Sequence, residues 1–227
     1  MKKVCVYCSA SDGISEVYYK NAQKMGELIG QNGYDLVYGG SDFGLMGTVS
    51  KSAKEQGAHI CGIMPKKIYE MINHEGGSCN EFVLTDNMRD RKEKMDINSD
   101  ATIALAGGFG TLDEVIEIID LKIIGYNTKP IIFLNTNNYY KKLFEFFEQI
   151  IKENFARQKS AELFYLAQTP EEVIEYLKNY VPNTPPKSVE DIYVKWYNFF
   201  ERLMGLRSSR GERSETPQLV CIKTGWA

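Results

Sequence analysis

The chain has 227 residues, 43% of them hydrophobic, which is enough to bury the core of one full α/β domain. Its formal net charge of -3 gives no bulk attraction to nucleic acid or to an anionic membrane, so any phosphate contact must come from a local site. No apolar run reaches the roughly 18 residues needed to span a bilayer, and the apolar Val4-Cys5-Val6-Tyr7 after Met1-Lys2-Lys3 is too short for a signal peptide, so a cytoplasmic location is expected.

The first strand-like run covers residues 4–8 and carries Cys5 and Cys8 as a lone C-x-x-C. Zinc would need two more ligands at suitable spacing, and a thioredoxin-like pair would open a helix, so both cysteines read as plain core residues. The odd total of five cysteines (Cys61, Cys79 and Cys221 are the others) argues against a disulfide framework. Ser9-Ala10-Ser11 follow this strand. A helical pattern then covers 16–32, a strand 35–38, and Gly39-Gly40 come directly after it. Helix 45–56 and strand 60–64 lead into a stretch, 66–80, in which Glu70, Asn73 and His74 are polar candidates for ligand contact, with a plain surface loop the favoured reading of each. Strand 82–84, helix 87–97 and strand 101–105 precede Gly107-Gly108. Helix 112–124, strand 130–134, helix 139–153 and a strand-like run at 163–167 follow. The last helix, 170–180, begins well, with Thr169 as cap and Pro170 in first position.

Several of these strands are continuously apolar, as expected of a sheet covered on both faces. The β-α alternation implies an α/β fold with a parallel, doubly wound, Rossmann-like sheet spanning 1–181. In such sheets ligands bind beyond the carboxyl ends of the strands, and all three small-residue turns should emerge on that edge. A C-terminal extension follows. Pro182-Asn183-Thr184-Pro185-Pro186 cannot be helical and opens a linker, residues 191–203 can form one aromatic amphipathic helix, and 205–227 reads as a disordered tail. Arg207, Arg210 and Arg213 in that tail read as solvated charge.

Three segments carry the chemistry. The first runs Tyr38-Gly39-Gly40-Ser41-Asp42-Phe43-Gly44-Leu45-Met46-Gly47. Glycines directly after a buried strand let the backbone approach a ligand, and the next helix should aim its unpaired N–H groups there. The second runs Gly107-Gly108-Phe109-Gly110-Thr111-Leu112-Asp113-Glu114. It is neither a P-loop nor a G-x-G-x-x-G fingerprint, yet it can cradle one phosphate with backbone N–H groups, the Thr111 hydroxyl and the helix dipole. A carboxylate so near a phosphate is costly unless it has a role or a cationic partner. The third segment, Met88-Arg89-Asp90-Arg91-Lys92-Glu93-Lys94-Met95, supplies cations on the same edge. Helix spacing groups Arg91 with Met88 and Met95, although spacing alone does not separate Arg91 from Arg89 as the partner of Glu114.

The order Y-G-G-x-x-x-G-L-M-G, M-x-x-R-K-x-x-M and G-G-x-G-T-x-x-E resembles the Lonely guy family over about residues 2–181. That family comprises cytokinin riboside 5'-monophosphate phosphoribohydrolases, often mislabelled lysine decarboxylases. The resemblance implies a Rossmann-like homodimer that hydrolyses a nucleoside 5'-monophosphate to free base and ribose 5-phosphate, with no cofactor or metal. By motif position the catalytic residues would be Arg91 and Glu114. The phosphate loop would be Gly107, Gly108, Phe109, Gly110 and Thr111. Met88 and Lys92 occupy motif positions, and Gly39, Gly40, Ser9 and Ser11 complete the expected binding edge. Three departures from the pattern stand out. Ala106 replaces a proline, Ser41 a third glycine, and Asp120-Leu121 the Thr-Trp pair of plant members, which makes Asp120 a candidate for base or ribose contact. A carboxylate below the ribose would stabilise an oxocarbenium-like state and activate water. Lysine decarboxylation would instead need pyridoxal phosphate on a Schiff-base lysine. A non-catalytic nucleotide carrier is the stronger alternative, since glycine loops suit both functions.

Overall fold

A computed structural model describes residues 2–72 and 78–182. Asn73, His74, Cys221 and the linker, helix and tail expected after Pro182 lie outside the described residues. Seven strands form one sheet: β1 (Lys3–Tyr7), β2 (Asp35–Tyr38), β3 (Ile60–Pro65), β4 (Glu81–Thr85), β5 (Ala101–Ala104), β6 (Ile131–Leu134) and β7 (Tyr165–Ala167). All pair in parallel in the order β4-β3-β2-β1-β5-β6-β7. The order reverses between β1 and β5, and a crevice opens at such a switch point beyond the carboxyl ends of the strands. The α/β, doubly wound, Rossmann-like sheet expected from the alternation of elements is the fold observed.

Alternation along β1 sends its side chains into two cores. Val4, Val6 and Cys8 join the core beneath α1 (Glu16–Gln31), α2 (Gly44–Glu55) and α7 (Pro170–Asn179). Cys5 and Tyr7 join the opposite core, with Met95 of α4 (Met88–Ile97), Val115 and Ile118 of α5 (Phe109–Ile123), and Leu143 and Phe144 of α6 (Lys141–Lys152) packed around it. Cys5 and Cys8 therefore face away from each other across the sheet, as residues three apart in extended chain must. Both are fully buried, and burial pushes their thiols well above the ordinary range. Each fully buried Val, Leu or Ile side chain contributes about 1.5–3 kcal/mol, so the two apolar layers are what holds the sheet between its helices. Glycine sets the tightest helix contact. A Cβ on Gly26 would lie 2.8 Å from the Ser52 Cβ, and one on Gly30 would lie 2.7 Å from the Ala53 carbonyl.

Three elements differ from the sequence expectation. Helix α5 begins at Phe109, three residues before Leu112, with Gly108 as an extended N-cap. Glycine is a poor helix former in helix interiors, but Gly110 sits in the first turn, where its N–H has no intrahelical partner to lose. The stretch after β3 forms a short helix, α3 (Lys66–Met71). The turn between β6 and α6 contains a 3-10 segment, Thr136–Asn138, in which Asn137 and Asn138 take left-handed conformations (φ 52° and 58°). Asparagine tolerates that region better than other residues with a Cβ.

Candidate active site

A cavity of about 520 Å³ lies over the switch point. It collects chain from the ends of five strands: Cys8 to Ser11 after β1, Gly39, Ser41 and Phe43 after β2, Met64 and Pro65 at the end of β3, Met88 and Arg91 on α4, and Gly108, Gly110, Thr111 and Glu114 after β5.

Arg91 is the centre of this geometry. Its Nε donates to the Ile63 carbonyl at 3.0 Å, and its Nη1 donates to Glu114 Oε1 in a direct ion pair. Both residues are 5% exposed. The α4 backbone selects Arg91, because Arg89 lies on the solvent side of the helix. Gly39 makes room for the guanidinium: a Cβ there would collide with Arg91 Nη2 and lie 2.9 Å from Met46 Sδ. Burial pushes the Glu114 carboxyl above its ordinary range, and the charge and hydrogen bond of Arg91 pull it partly back.

Two of the helix starts at the cavity are already occupied. The first N–H groups of α2 donate to Asp12 Oδ1 (from Gly44, 3.1 Å) and to the Ser9 carbonyl (from Leu45, 2.9 Å, and Met46, 3.3 Å). The sequence expectation that α2 aims unpaired N–H groups at a ligand is thereby corrected. The start of α4 is closed by Asn87, whose Oδ1 accepts from Arg89 and Asp90. The start of α5 is different. Gly108 has no side chain to cap it, and no acceptor among the described residues takes the N–H groups of Phe109, Gly110 or Thr111. An anion fits there by both donors and dipole.

Thr111 folds back over Gly107, where a Cβ would collide with the Thr111 hydroxyl and lie 2.6 Å from its Cβ. Gly107→Ala is therefore expected to push Thr111 off the first turn of α5. Its check is a ribose 5-phosphate titration, in which binding should weaken roughly tenfold or more with only a small fall in the thermal midpoint.

The candidate residues divide into two groups. Ser9, Ser11, Gly39, Met88, Arg91, Gly108, Gly110, Thr111 and Glu114 line the cavity together. Gly40, Lys92, Gly107, Phe109 and Asp120 do not. Gly40 sits under the Phe82 ring with φ +79°, a conformation that favours glycine. Lys92 ties α4 to α5 through Asp113 at 3.0 Å and through Glu117. Phe109 is 92% exposed, and Asp120 lies on the solvent side of α5, six residues along the helix from Glu114. Glu70 is exposed on α3 and also lies outside the lining. Ser9 Oγ accepts from the Ser11 N–H at 3.0 Å and Ser41 Oγ from the Phe43 N–H at 3.2 Å, so each hydroxyl keeps its proton to donate. Sequence reasoning missed the apolar wall of Phe43, Met46, Met64, Ile68 and Ile72. The four-residue step from Ile68 on α3 to Ile72 at its end was the signal, since it places both on one helical face, whereas Met64 closes β3.

A family model described as "Possible lysine decarboxylase" matches residues 46–177. A probable cytokinin riboside 5'-monophosphate phosphoribohydrolase of Oryza sativa subsp. japonica is 39% identical over 182 residues, covering 80% of this chain and 74% of that protein. A cytokinin riboside 5'-monophosphate phosphoribohydrolase of Arabidopsis thaliana is 37% identical, covering 80% of this chain and 84% of its own length. The chain belongs to the Lonely guy family. Among solved structures, the molybdenum cofactor binding protein from Rippkaea orientalis superposes with a TM-score of 0.61 at 27% identity, over 78% of this chain and 96% of that one. The molybdenum cofactor carrier protein of Chlamydomonas reinhardtii shares the fold, with a TM-score of 0.62 at 21% identity over 78% of this chain and 96% of its own. The family model's description names a decarboxylase, yet none of the described residues lining the cavity is a lysine.

Proposed function

We propose that this protein hydrolyses the N-glycosidic bond of a nucleoside 5'-monophosphate, giving the free base and ribose 5-phosphate. One observation carries the reading: a buried Arg91–Glu114 pair lines the same cavity as the open start of α5. A binder of phosphate alone gains nothing from a carboxylate beside its anion site. An enzyme that must stabilise positive charge on a ribose ring does.

The open N–H groups of α5 and the Thr111 hydroxyl anchor the 5'-phosphate, so remote binding energy orients the ribose. Glu114 faces the anomeric carbon. As the C1'–N bond breaks, its electron pair leaves with the base and positive charge spreads over C1' and the ring oxygen. Glu114 stabilises that charge and takes a proton from the attacking water, whose oxygen bonds C1'. The proton ends on the departing base. Arg91 fixes the carboxylate and keeps it ionised. No step calls on a metal or an organic cofactor.

The apolar wall of α2 and α3 favours a base with an apolar substituent, in keeping with the cytokinin riboside monophosphates named for the plant relatives. AMP shares the phosphate and ribose and is the competing substrate. Incubation with AMP and with isopentenyl-AMP, assayed for free base and ribose 5-phosphate, tests the reading. Release of base from either sustains it, with isopentenyl-AMP preferred. Binding of both without cleavage would move the assignment to a carrier.

The protein is further read as a cytoplasmic homodimer that binds neither nucleic acid nor membrane. Exposed Ile97, Phe109 and Ile116 on α4 and α5 offer apolar surface to a second copy. The free Cys5, Cys8, Cys61 and Cys79 suit a reducing compartment. No helix among the described residues is long and apolar enough to cross a membrane.

A further inference from the structure

The loop that enters α5 has no proline at Ala106 to stiffen it, yet each carbonyl from Leu105 to Gly107 is tied. The Leu105 carbonyl accepts from the Tyr140 hydroxyl at 2.6 Å, the Ala106 carbonyl from the Ser9 N–H at 3.1 Å, and the Gly107 carbonyl from the Tyr139 hydroxyl at 2.6 Å. Two of the three ties come from one place, the turn between β6 and α6. That turn is held open at an energetic cost. Asn137 and Asn138 both sit at positive φ, a conformation that side chains with a Cβ adopt singly and seldom in succession. Asn135 braces the turn by accepting from the Tyr140 N–H at 3.0 Å and donating its own N–H to the Ala167 carbonyl at 2.8 Å. The two tyrosine rings pack edge to face, with centroids 5.1 Å apart, and Tyr18 of α1 packs edge-on against Tyr139 at 5.7 Å.

The two hydroxyls differ in setting. Tyr140 is buried in the core, and its bond is part of the fold. Tyr139 is 44% exposed, so its hydroxyl has water as an alternative partner, yet it bonds Gly107. We propose that Tyr139 is a positioning residue for the substrate's 5'-phosphate, acting through the Gly107 peptide. The peptide unit is planar and trans, so fixing the Gly107 carbonyl fixes the Gly108 N–H in the opposite direction. The bond also polarises that peptide and strengthens its N–H as a donor. The Gly108 N–H then joins those of Phe109, Gly110 and Thr111 as one preset group of donors. Tyr139 touches no substrate in this arrangement. Its work is to keep a glycine-rich loop from spending phosphate binding energy on its own ordering.

The inference rests on reading the start of α5 as the phosphate site, and its test separates the two. Ribose 5-phosphate serves as a competitive inhibitor of nucleotide hydrolysis by the wild-type protein, by Tyr139→Phe and by Tyr18→Leu. Tyr139→Phe keeps the ring and removes only the hydroxyl. It should raise both KM and the ribose 5-phosphate inhibition constant ~3- to 10-fold, the scale of one lost hydrogen bond, with kcat and the thermal midpoint nearly unchanged. Tyr18→Leu, which removes the ring supporting Tyr139, should move the same two constants in the same direction by less. An unchanged inhibition constant in both variants, or a fall in kcat and thermal midpoint without a change in that constant, overturns the role of Tyr139. Failure of ribose 5-phosphate to inhibit the wild-type protein overturns the phosphate site itself.

Discussion

Glu114→Gln is expected to lower turnover of the nucleotide about 100- to 10,000-fold while leaving the protein folded and able to bind ribose 5-phosphate. The substitution keeps the shape of the side chain and an oxygen that can accept from Arg91, so the cavity wall stays in place. What it removes is the negative charge opposite the developing oxocarbenium ion and the base that takes a proton from water. The loss should therefore appear in kcat, with the ribose 5-phosphate inhibition constant little altered. A pH profile adds an independent check. Burial is the largest influence on Glu114 and raises its pKa. A raised carboxylate pKa means that the group takes up its proton at a higher pH than an ordinary glutamate. The acid limb of wild-type kcat should accordingly lie above the usual glutamate range, and the residual activity of Glu114→Gln should be flat there. Near-normal base release by this variant would remove Glu114 from the mechanism.

Much of this was legible in the sequence, and the reasons differ by residue. The alternation of apolar runs placed all seven strands, since a strand buried on both faces has few other ways to be written. Glycines after β2 and β5 marked the binding edge. Their separate tasks were not legible, because they depend on what lies opposite. Gly39 yields space to a guanidinium that arrives from α4, and Gly107 yields space to Thr111. Arg91 and Arg89 are indistinguishable by type, and only the rotation of α4 against β3 turns one inward. The occupied start of α2 was hidden for a similar reason, since its caps come from Ser9 and Asp12, more than thirty residues away in the chain. The tie from Tyr139 to Gly107 likewise joins residues 32 apart, through a turn whose left-handed asparagines read in sequence only as polar loop. Local chemistry thus pointed to the glycine-rich edge and to the carboxylate, whereas everything that aims them is long-range.

The second large effect is expected at Arg91. Arg91→Leu leaves the Glu114 carboxylate buried with no counter-ion and the Ile63 carbonyl without its donor. Breaking a buried pair from one side typically costs about 3–5 kcal/mol, because the remaining charge is uncompensated. Loss of Arg91 also removes the main influence opposing burial, so the Glu114 pKa should rise further and the carboxyl should be largely protonated nearer to neutral pH. Activity is then lost for lack of the carboxylate as well as its orientation. The sign of the stability effect follows from linkage. With its pKa raised in the fold, Glu114 binds more protons folded than unfolded between its unfolded and folded pKa values, so stability increases as pH falls through that window. The deficit of Arg91→Leu, measured by denaturant unfolding, should therefore shrink on acidification. The companion test is Arg91→Leu/Glu114→Leu. With neither charge left to bury, the double variant should recover most of the lost stability and none of the activity, and Arg91→Lys should recover little of either, since an ammonium cannot reach Glu114 and the Ile63 carbonyl with the same fixed fork. Costs that simply add in the double variant would mean that the two side chains do not act as a pair, and the reading of Arg91 as the group that holds the carboxylate ready would go with them.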